Sequence, residues 1–242
     1  MDTKFWGPPG WKLLHQIAYT YPHKPTKIHK EKVKKFYNSI DKILPCKYCR
    51  ISLCKYYKQI PIEPYLESKE LLTEWIYLIH NKVNGKLRKQ GYLNTANPSK
   101  LQVDNQYNNM TKCPMVGWNF IHTIAFNFPK KENDITKRKK DAYFNFFNAL
   151  AEISPCKDFK NIFKIQCNKL PLSKNLTNRK VLTNWLYKIH CKLEKTILLK
   201  NYKNYCSKYN SHRAKSCKKG TCNNEVNYSK SKKKTKKKSI PK

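Results

Sequence analysis

The sequence repeats itself after slightly more than one hundred residues. One set of residues returns at an offset of 107: Trp11, His15, Ala18 and Pro22 reappear as Trp118, His122, Ala125 and Pro129. Another set returns at an offset of 110: Pro45, Cys46, Leu72, Trp75 and His80 reappear as Pro155, Cys156, Leu182, Trp185 and His190. Such a period indicates that one structural unit occurs twice. A chain of 242 residues has room for two lobes of roughly 100 residues, enough for two small helical cores.

Apolar residues spaced three and four apart predict four helices in each copy. Pro45 and Pro155 suit the first turn of a helix, so we expect the third helix of each copy to begin there. No segment alternates with a period of two, so the predicted fold class is all-α, a four-helix bundle followed by a degenerate tandem copy. The other predicted helices are Trp11 to Tyr21, Val33 to Leu44, Leu72 to Leu87, Tyr143 to Ile153 and Leu182 to Ile197.

Composition shifts mark the expected boundaries. Residues 92–114 are rich in asparagine and lack periodicity, so we expect a linker between a first domain at 1–91 and a second at 115–200. Residues 201–242 are expected to form a flexible tail, since the last twenty hold eight lysines and no apolar run. No apolar stretch resembles a signal peptide or a membrane span, so we expect a protein that is neither secreted nor inserted in a membrane.

The formal net charge is +36, from 51 basic and 15 acidic residues. Such a charge favours polyanions, and with sixteen tyrosines and the lysine-rich tail it keeps nucleic-acid binding open as a rival function. However, the charge is spread along the whole chain, and Lys, Asn, Ile and Tyr are abundant together, as in proteins from genomes rich in A and T. We therefore give the charge little weight as a sign of function.

Ten cysteines are unusual in a protein that is not secreted, and they favour thiol chemistry or zinc binding. Cys46 and Cys49 form a Cys-x-x-Cys pair at a predicted helix start, where the helix dipole and the nearby Lys47 and Arg50 stabilise a thiolate. A zinc site would need two more ligands, for which Cys54 and His80 are candidates. The second Cys-x-x-Cys pair that makes zinc motifs specific is missing, so we expect redox chemistry and no metal.

Three motifs within about Trp6 to Lys89 resemble, in order and spacing, the Erv/ALR family of FAD-linked sulfhydryl oxidases. The size, duplication and composition are similar to those of members encoded by large cytoplasmic DNA viruses of the mimivirus kind. The motifs are Trp11-x3-His15-x2-Ala18-x2-Tyr21-Pro22, Pro45-Cys46-x2-Cys49 and Trp75-x4-His80-Asn81-x-Val83-Asn84.

The resemblance implies a four-helix bundle with a short extra helix, holding FAD beside the cysteine pair. Taken singly, Trp11 and Trp75 lie on apolar faces and are better explained as core residues than as cofactor contacts. His80 with its flanking asparagines is harder to explain as core, because buried polar groups need partners. The cofactor-binding residues implied by the resemblance are Trp11, His15, Tyr19, Cys49, His80, Asn81, Val83 and Asn84, with Lys86 and Lys89 near the phosphates.

The resemblance also implies a reaction. A dithiol in a protein substrate reduces the Cys46–Cys49 disulfide, with Cys46 in thiol exchange and Cys49 facing FAD, and molecular oxygen becomes hydrogen peroxide. Members of the family often carry a second, mobile disulfide, and Cys217 and Cys222 in the tail are candidates for such a shuttle. Tail cysteines without a role, or with a role in metal binding, are an equally good interpretation of these two residues.

The second copy has lost the reactive residues. Cys49 becomes Phe159, and the string from His80 to Asn84 becomes His190-Cys191-Lys192-Leu193-Glu194. We therefore expect a second lobe without flavin that serves as a dimer-like partner within one chain, while a homodimer of chains stays possible. Similarity to viral members also places the protein in the host cytoplasm, at the virus factory, or in the virion.

Overall fold

The computed structural model describes residues 3–110, 117–194 and 201–212, and these contain helices and no β-strand. The first lobe holds five α-helices and a short 3₁₀-helix at Glu63–Leu66. Its α-helices are α1 (Thr3–Tyr19), α2 (Lys27–Ile43), α3 (Lys47–Gln59), α4 (Lys69–Lys89) and α5 (Lys100–Asn108).

The second lobe repeats this order. Its helices are α6 (Trp118–Phe126), α7 (Lys137–Ile153), α8 (Lys157–Lys169), α9 (Leu172–Asn175), α10 (Arg179–Leu193) and α11 (Tyr202–Ser211), with a 3₁₀-helix at Glu132–Asp134. The all-α fold class with two related bundles is therefore confirmed.

Side-chain caps fix several helix starts. The Thr26, Ser68 and Ser99 hydroxyls accept hydrogen bonds from backbone N–H groups of the first turns of α2, α4 and α5. In α3 the N-cap is Cys46 itself, so Pro45 lies just before the helix and not in its first turn as expected. The chain thus places the first cysteine of the pair at a helix N-terminus.

Helix α1 begins at Thr3, eight residues before the predicted start at Trp11, and includes Pro8. The extension is held by tertiary packing, because the Trp6 ring is buried with its centroid 6.0 Å from that of Phe120 in the second lobe. Packing of this kind outweighs the poor helix propensity of proline.

Two segments differ from the expected boundaries. Helix α5 lies within the residues predicted as a linker, and α11 lies within the predicted flexible tail. Both are held by aromatic contacts: Tyr107 of α5 stacks on His15, and Tyr209 of α11 stacks on Phe126. Each helix is therefore the short extra helix of its own bundle.

The two lobes pack through reciprocal contacts of α1 with α6 and of α2 with α7. Phe36 stacks on its own repeat counterpart, Phe146, with ring centroids 5.1 Å apart. A Cβ on Gly10 would lie 2.8 Å from the Phe120 ring, and a Cβ on the counterpart Gly117 would lie 2.6 Å from Leu13, the counterpart of Phe120. Contacts in which residue and counterpart exchange places are the mark of two-fold symmetry.

None of the helices in the described ranges is both long and apolar enough to cross a lipid bilayer.

Candidate active site

The cysteine pair lies at the turn from α2 into α3. Cys46 Sγ accepts a hydrogen bond from the backbone N–H of Cys49 at 3.3 Å, and both side chains are partly buried against the core of the lobe. The buried Arg50 guanidinium donates to the Leu44 carbonyl at 2.5 Å and thereby fixes the turn that precedes the pair. These hydrogen bonds hold the backbone of the pair in place, and Cys46 Sγ itself caps the helix.

The two thiols differ in acidity. Hydrogen bonding from the Cys49 thiol, helped by the backbone N–H groups of Cys49 and Tyr48 and by the charge of Lys86, lowers the pKa of Cys46 to about 6 against the opposing effect of burial. The same thiol–thiol hydrogen bond, together with burial, raises the pKa of Cys49. At neutral pH Cys46 is therefore the thiolate, which is the nucleophile and the better leaving group in disulfide exchange.

Trp11, His15 and His80, predicted from the sequence as cofactor contacts, form one cluster. The Trp11 and His80 rings are stacked at 3.9 Å, and His15 Nε2 lies 3.0 Å from His80 Nδ1. Burial, with the neighbouring His80 and Lys100 charges, lowers the pKa of His15 to about 3, and burial lowers that of His80 to about 4. Both imidazoles are neutral at physiological pH, so they offer hydrogen bonds and flat ring faces and carry no charge.

The same trio recurs in the second lobe, but there the outer nitrogen of the first histidine has a partner. His122 Nε2 lies 2.7 Å from His190 Nδ1, and Trp118 stacks on His190 at 3.8 Å. His122 Nδ1 is hydrogen-bonded to the Tyr205 hydroxyl at 2.5 Å. His190 Nε2 is buried without a hydrogen bond to the described residues, and it lies 3.3 Å from a Glu194 carboxylate oxygen. The second lobe thus satisfies His122 Nδ1 with its own chain.

In the first lobe the corresponding atom is open. Buried His15 Nδ1 has no hydrogen-bond partner among the described residues, and Val103 stands at the repeat position of Tyr205. A buried ring nitrogen without a partner costs about 1–3 kcal/mol, so it calls for a ligand that can bond to it. This atom, on a ring that stacks against Tyr107, fits the FAD that the sequence resemblance implies.

The second half of α4 carries the remaining predicted contacts. Asn81, Val83, Asn84 and Lys86 are partly buried there, while Lys89 is exposed. Lys86 donates to Ser52 of α3 at 2.8 Å, which brings its charge beside the cysteine pair. The sequence placed this lysine near phosphates, and the structure adds the cysteines as its neighbours.

The second lobe lacks the equivalent half-helix in its described part. Helix α10 ends at Leu193, the counterpart of Val83, and Glu194 is already extended. The repeat counterparts of Lys86 and Lys89 are uncharged, namely Thr196 and Leu199. The cationic end of the predicted cofactor site therefore belongs to the first lobe alone.

Tyr19 lies two turns along α1 from Trp11, and its hydroxyl is engaged. It donates to Asp104 of α5 at 2.6 Å, and its ring stacks on Tyr107. Sequence reasoning missed Asp104 and Tyr107, because a short polar helix gives no periodic signal. The recurrence of Tyr107 as Tyr209, at the shorter offset of 102, is the signal that could have indicated this helix.

Phe159 occupies the repeat position of Cys49. Its side chain is fully buried, and its ring meets that of Trp118 edge-on with centroids 5.8 Å apart. An aromatic ring thus packs beside the tryptophan of the second lobe, where the first lobe has a small thiol at the repeat position.

The other cysteines fall into three groups. Cys156, the counterpart of Cys46, is buried and disulfide-bonded, whereas the six other cysteines in the described ranges are free thiols. The predicted shuttle residues Cys217 and Cys222, like Cys113, lie outside those ranges. Across the described part of the chain, no group of three or more His, Cys, Asp or Glu side chains is arranged to hold a metal ion.

Comparison with known proteins identifies the family of the chain. The model of the Erv1 / Alr family matches residues 9–108 and again 115–215. The mitochondrial FAD-linked sulfhydryl oxidase ERV1 of Saccharomyces cerevisiae is 41% identical over 88 residues, 36% of this chain and 46% of that protein. A probable FAD-linked sulfhydryl oxidase of Acanthamoeba polyphaga mimivirus is 38% identical over 85 residues, 35% of this chain and 59% of that protein. The chain thus spans about half the length of these curated relatives.

Among solved structures, the FAD-binding domain of Erv1 from Saccharomyces cerevisiae is similar at 33% identity and a TM-score of 0.40, covering 45% of this chain and 96% of that domain.

Proposed function

Because the chain belongs to the Erv1/Alr family, we propose that it is an FAD-dependent thiol oxidase that forms disulfide bonds in protein dithiols. The observation that carries the proposal is the asymmetry of the two lobes. Both keep the Trp–His–His cluster, but only the first combines it with a thiol pair, an unpartnered Nδ1 atom on the α1 histidine and a cationic α4 end. This combination has the parts that a dithiol-to-flavin site requires.

The thiol chemistry follows from the acidity of the pair. A substrate thiolate attacks Cys46 Sγ in the Cys46–Cys49 disulfide, and Cys49 leaves as a thiol after taking up a proton. The second substrate thiolate then attacks the substrate sulfur of the mixed disulfide and expels Cys46. Its low pKa makes Cys46 the favoured leaving group, so the substrate is released oxidised and the pair is left with two electrons.

FAD, when bound, supplies the acceptor for these two electrons and passes them to oxygen, giving hydrogen peroxide. On the protein side, neutral His15 and His80 supply hydrogen bonds, and Trp11 supplies a flat apolar face. Lys86 offers a cation on the same side as the cysteines. The remaining residues proposed to hold the cofactor are Tyr19, Cys49, Asn81, Val83, Asn84 and Lys89.

We assign the second lobe the place of a second protomer. Its reciprocal packing on the first lobe supplies a partner surface within one chain, and Phe159, Tyr205 and the early end of α10 make it a lobe without flavin. Cys217 and Cys222 are proposed as the shuttle that carries electrons from bulky substrates. The similarity to viral sulfhydryl oxidases supports action in the cytoplasm of an infected cell, at the virus factory, or within the virion.

The test uses purified full-length protein. We expect a yellow protein with one FAD per chain that consumes oxygen when dithiothreitol is added. Cys49→Ser should abolish turnover while FAD stays bound, whereas Cys167→Ser in the second lobe should retain both colour and turnover. A colourless protein that takes up no FAD would overturn the proposal, and two FAD per chain would overturn the assignment of the second lobe.

A further inference from the structure

Two large apolar side chains are exposed beside the cysteine pair. Tyr48, which lies between Cys46 and Cys49, is 72% exposed, and Ile51 is 41% exposed. They are three residues apart on α3, so they share one face of the helix. Single exposed apolar residues are ordinary on a protein surface, but two neighbours at a reactive thiolate mark a place where another molecule binds.

The internal repeat provides a control for this observation. The counterparts of Tyr48 and Ile51 in α8 are Asp158 and Asn161, both polar. By contrast, a buried α3 position stays apolar, since Leu53 corresponds to Phe163. The apolar face is therefore not a requirement of the bundle. It occurs in the lobe that has the dithiol and is absent from the lobe that does not.

Geometry limits what can cover this face. A substrate that reacts with Cys46 must bring a cysteine to the N-terminus of α3. Each further residue of the substrate extends its chain from that cysteine by at most about 3.3–3.6 Å. Side chains one to three residues from the substrate cysteine are consequently within reach of Tyr48 and Ile51. Apolar side chains there remove both surfaces from water.

We propose that Tyr48 and Ile51 form a docking surface for apolar side chains that flank the cysteines of a reduced, unfolded polypeptide. The proposal rests on the proposed oxidase function and adds its substrate preference. Partial burial of one leucine-sized side chain on this surface predicts a preference of about fivefold to tenfold for apolar over polar flanks.

The experiment compares two reduced dithiol peptides that differ only in the residues flanking their cysteines, leucine in one and serine in the other. For each protein variant, kcat/KM for each peptide is divided by that variant's own value for dithiothreitol, which removes differences in FAD content and in the chemistry of the pair. The natural protein should prefer the leucine peptide by about fivefold to tenfold.

The test variant is Tyr48→Asn combined with Ile51→Asn, which is neutral and so adds no charge near Cys46. Its preference should fall to about one, whereas Tyr92→Asn, at a side chain 76% exposed and far along the chain, should keep it. Two results with an active oxidase overturn the docking surface alone. In one, the natural protein uses both peptides equally; in the other, the double variant keeps the preference for the leucine peptide. Failure to oxidise dithiothreitol overturns the oxidase function itself and the docking surface with it.

Discussion

Replacing Gly10 by alanine tests the close contact between the lobes. The new Cβ would lie 2.8, 3.1 and 3.2 Å from three carbons of the Phe120 ring. That ring is almost completely buried and is flanked by Trp6 and Phe146, so it has little room to move away. Overpacking of this kind costs about 1–3 kcal/mol, and alanine in a helix returns about 0.5–1 kcal/mol. We expect a net destabilisation of roughly 0.5–2 kcal/mol.

Gly85→Ala is the matched control, because Gly85 also lies inside a helix but a Cβ there has open space around it. This variant should gain about 0.5–1 kcal/mol. The free energies of unfolding of the two variants thus differ by the overpacking cost itself. For a chain of this size, each kcal/mol changes the melting temperature by about 2–4 °C.

Thermal unfolding followed by circular dichroism at 222 nm measures the difference, with FAD content checked by absorbance in each sample. Gly10→Ala should melt about 2–12 °C below Gly85→Ala. Gly117→Ala should show the same sign, because its Cβ would meet the Leu13 side chain, including Leu13 Cβ at 2.8 Å. If Gly10→Ala melts at or above Gly85→Ala, the reciprocal packing of α1 and α6 is not as described.

Alkylation of the reduced protein should report the lowered pKa of Cys46. The alkylation rate at Cys46 should level off above about pH 7, because its thiolate is already formed. The rate at Cys54, whose pKa is raised by burial, should still increase with pH. If the alkylation rate at Cys46 keeps rising to pH 9, the assignment of Cys46 as the thiolate at neutral pH is contradicted. Peptide mapping under non-reducing conditions should find Cys156 in a disulfide. If its partner proves to be either tail cysteine, the shuttle proposal fails. Tyr205→Phe should destabilise the chain by about 1–3 kcal/mol in urea unfolding, because it leaves His122 Nδ1 buried without its hydroxyl partner.

Long helices with a regular apolar stripe were predictable from the sequence. The stripes of α2 and α4 recur in α7 and α10, and most of the buried residues are those that the periodicity selects. The repeat was the stronger signal, because the same pattern in two windows is less often due to chance than a pattern in one. Helix α5 was not predictable by these means, because only two of its nine side chains, Val103 and Tyr107, are buried.

The sequence also pointed to candidate residues for the site, but not to how their side chains pair. Spacing placed His15 and His80 on separate helices, and only the packed bundle brings their ring nitrogens to 3.0 Å. In the same way, Lys86 was recognised as a cation of α4, while its approach to α3 depends on the angle between two helices. Side-chain contacts between elements depend on tertiary geometry, which no local pattern contains.

Comparison of the two lobes indicates how one copy of a site can change while the bundle keeps its fold. The second lobe keeps the Trp118–His122–His190 cluster in nearly the geometry of the first, so this cluster contributes to the bundle and does not by itself imply a cofactor. What changed is the space around it, which Phe159 and Tyr205 now occupy. Each substitution fills a gap or pairs a buried atom, and both effects stabilise the bundle without help from a ligand. The first lobe has neither substitution, and its buried His15 Nδ1 stays unpaired among the described residues. That unpaired nitrogen costs stability, which a ligand bonded to it would restore.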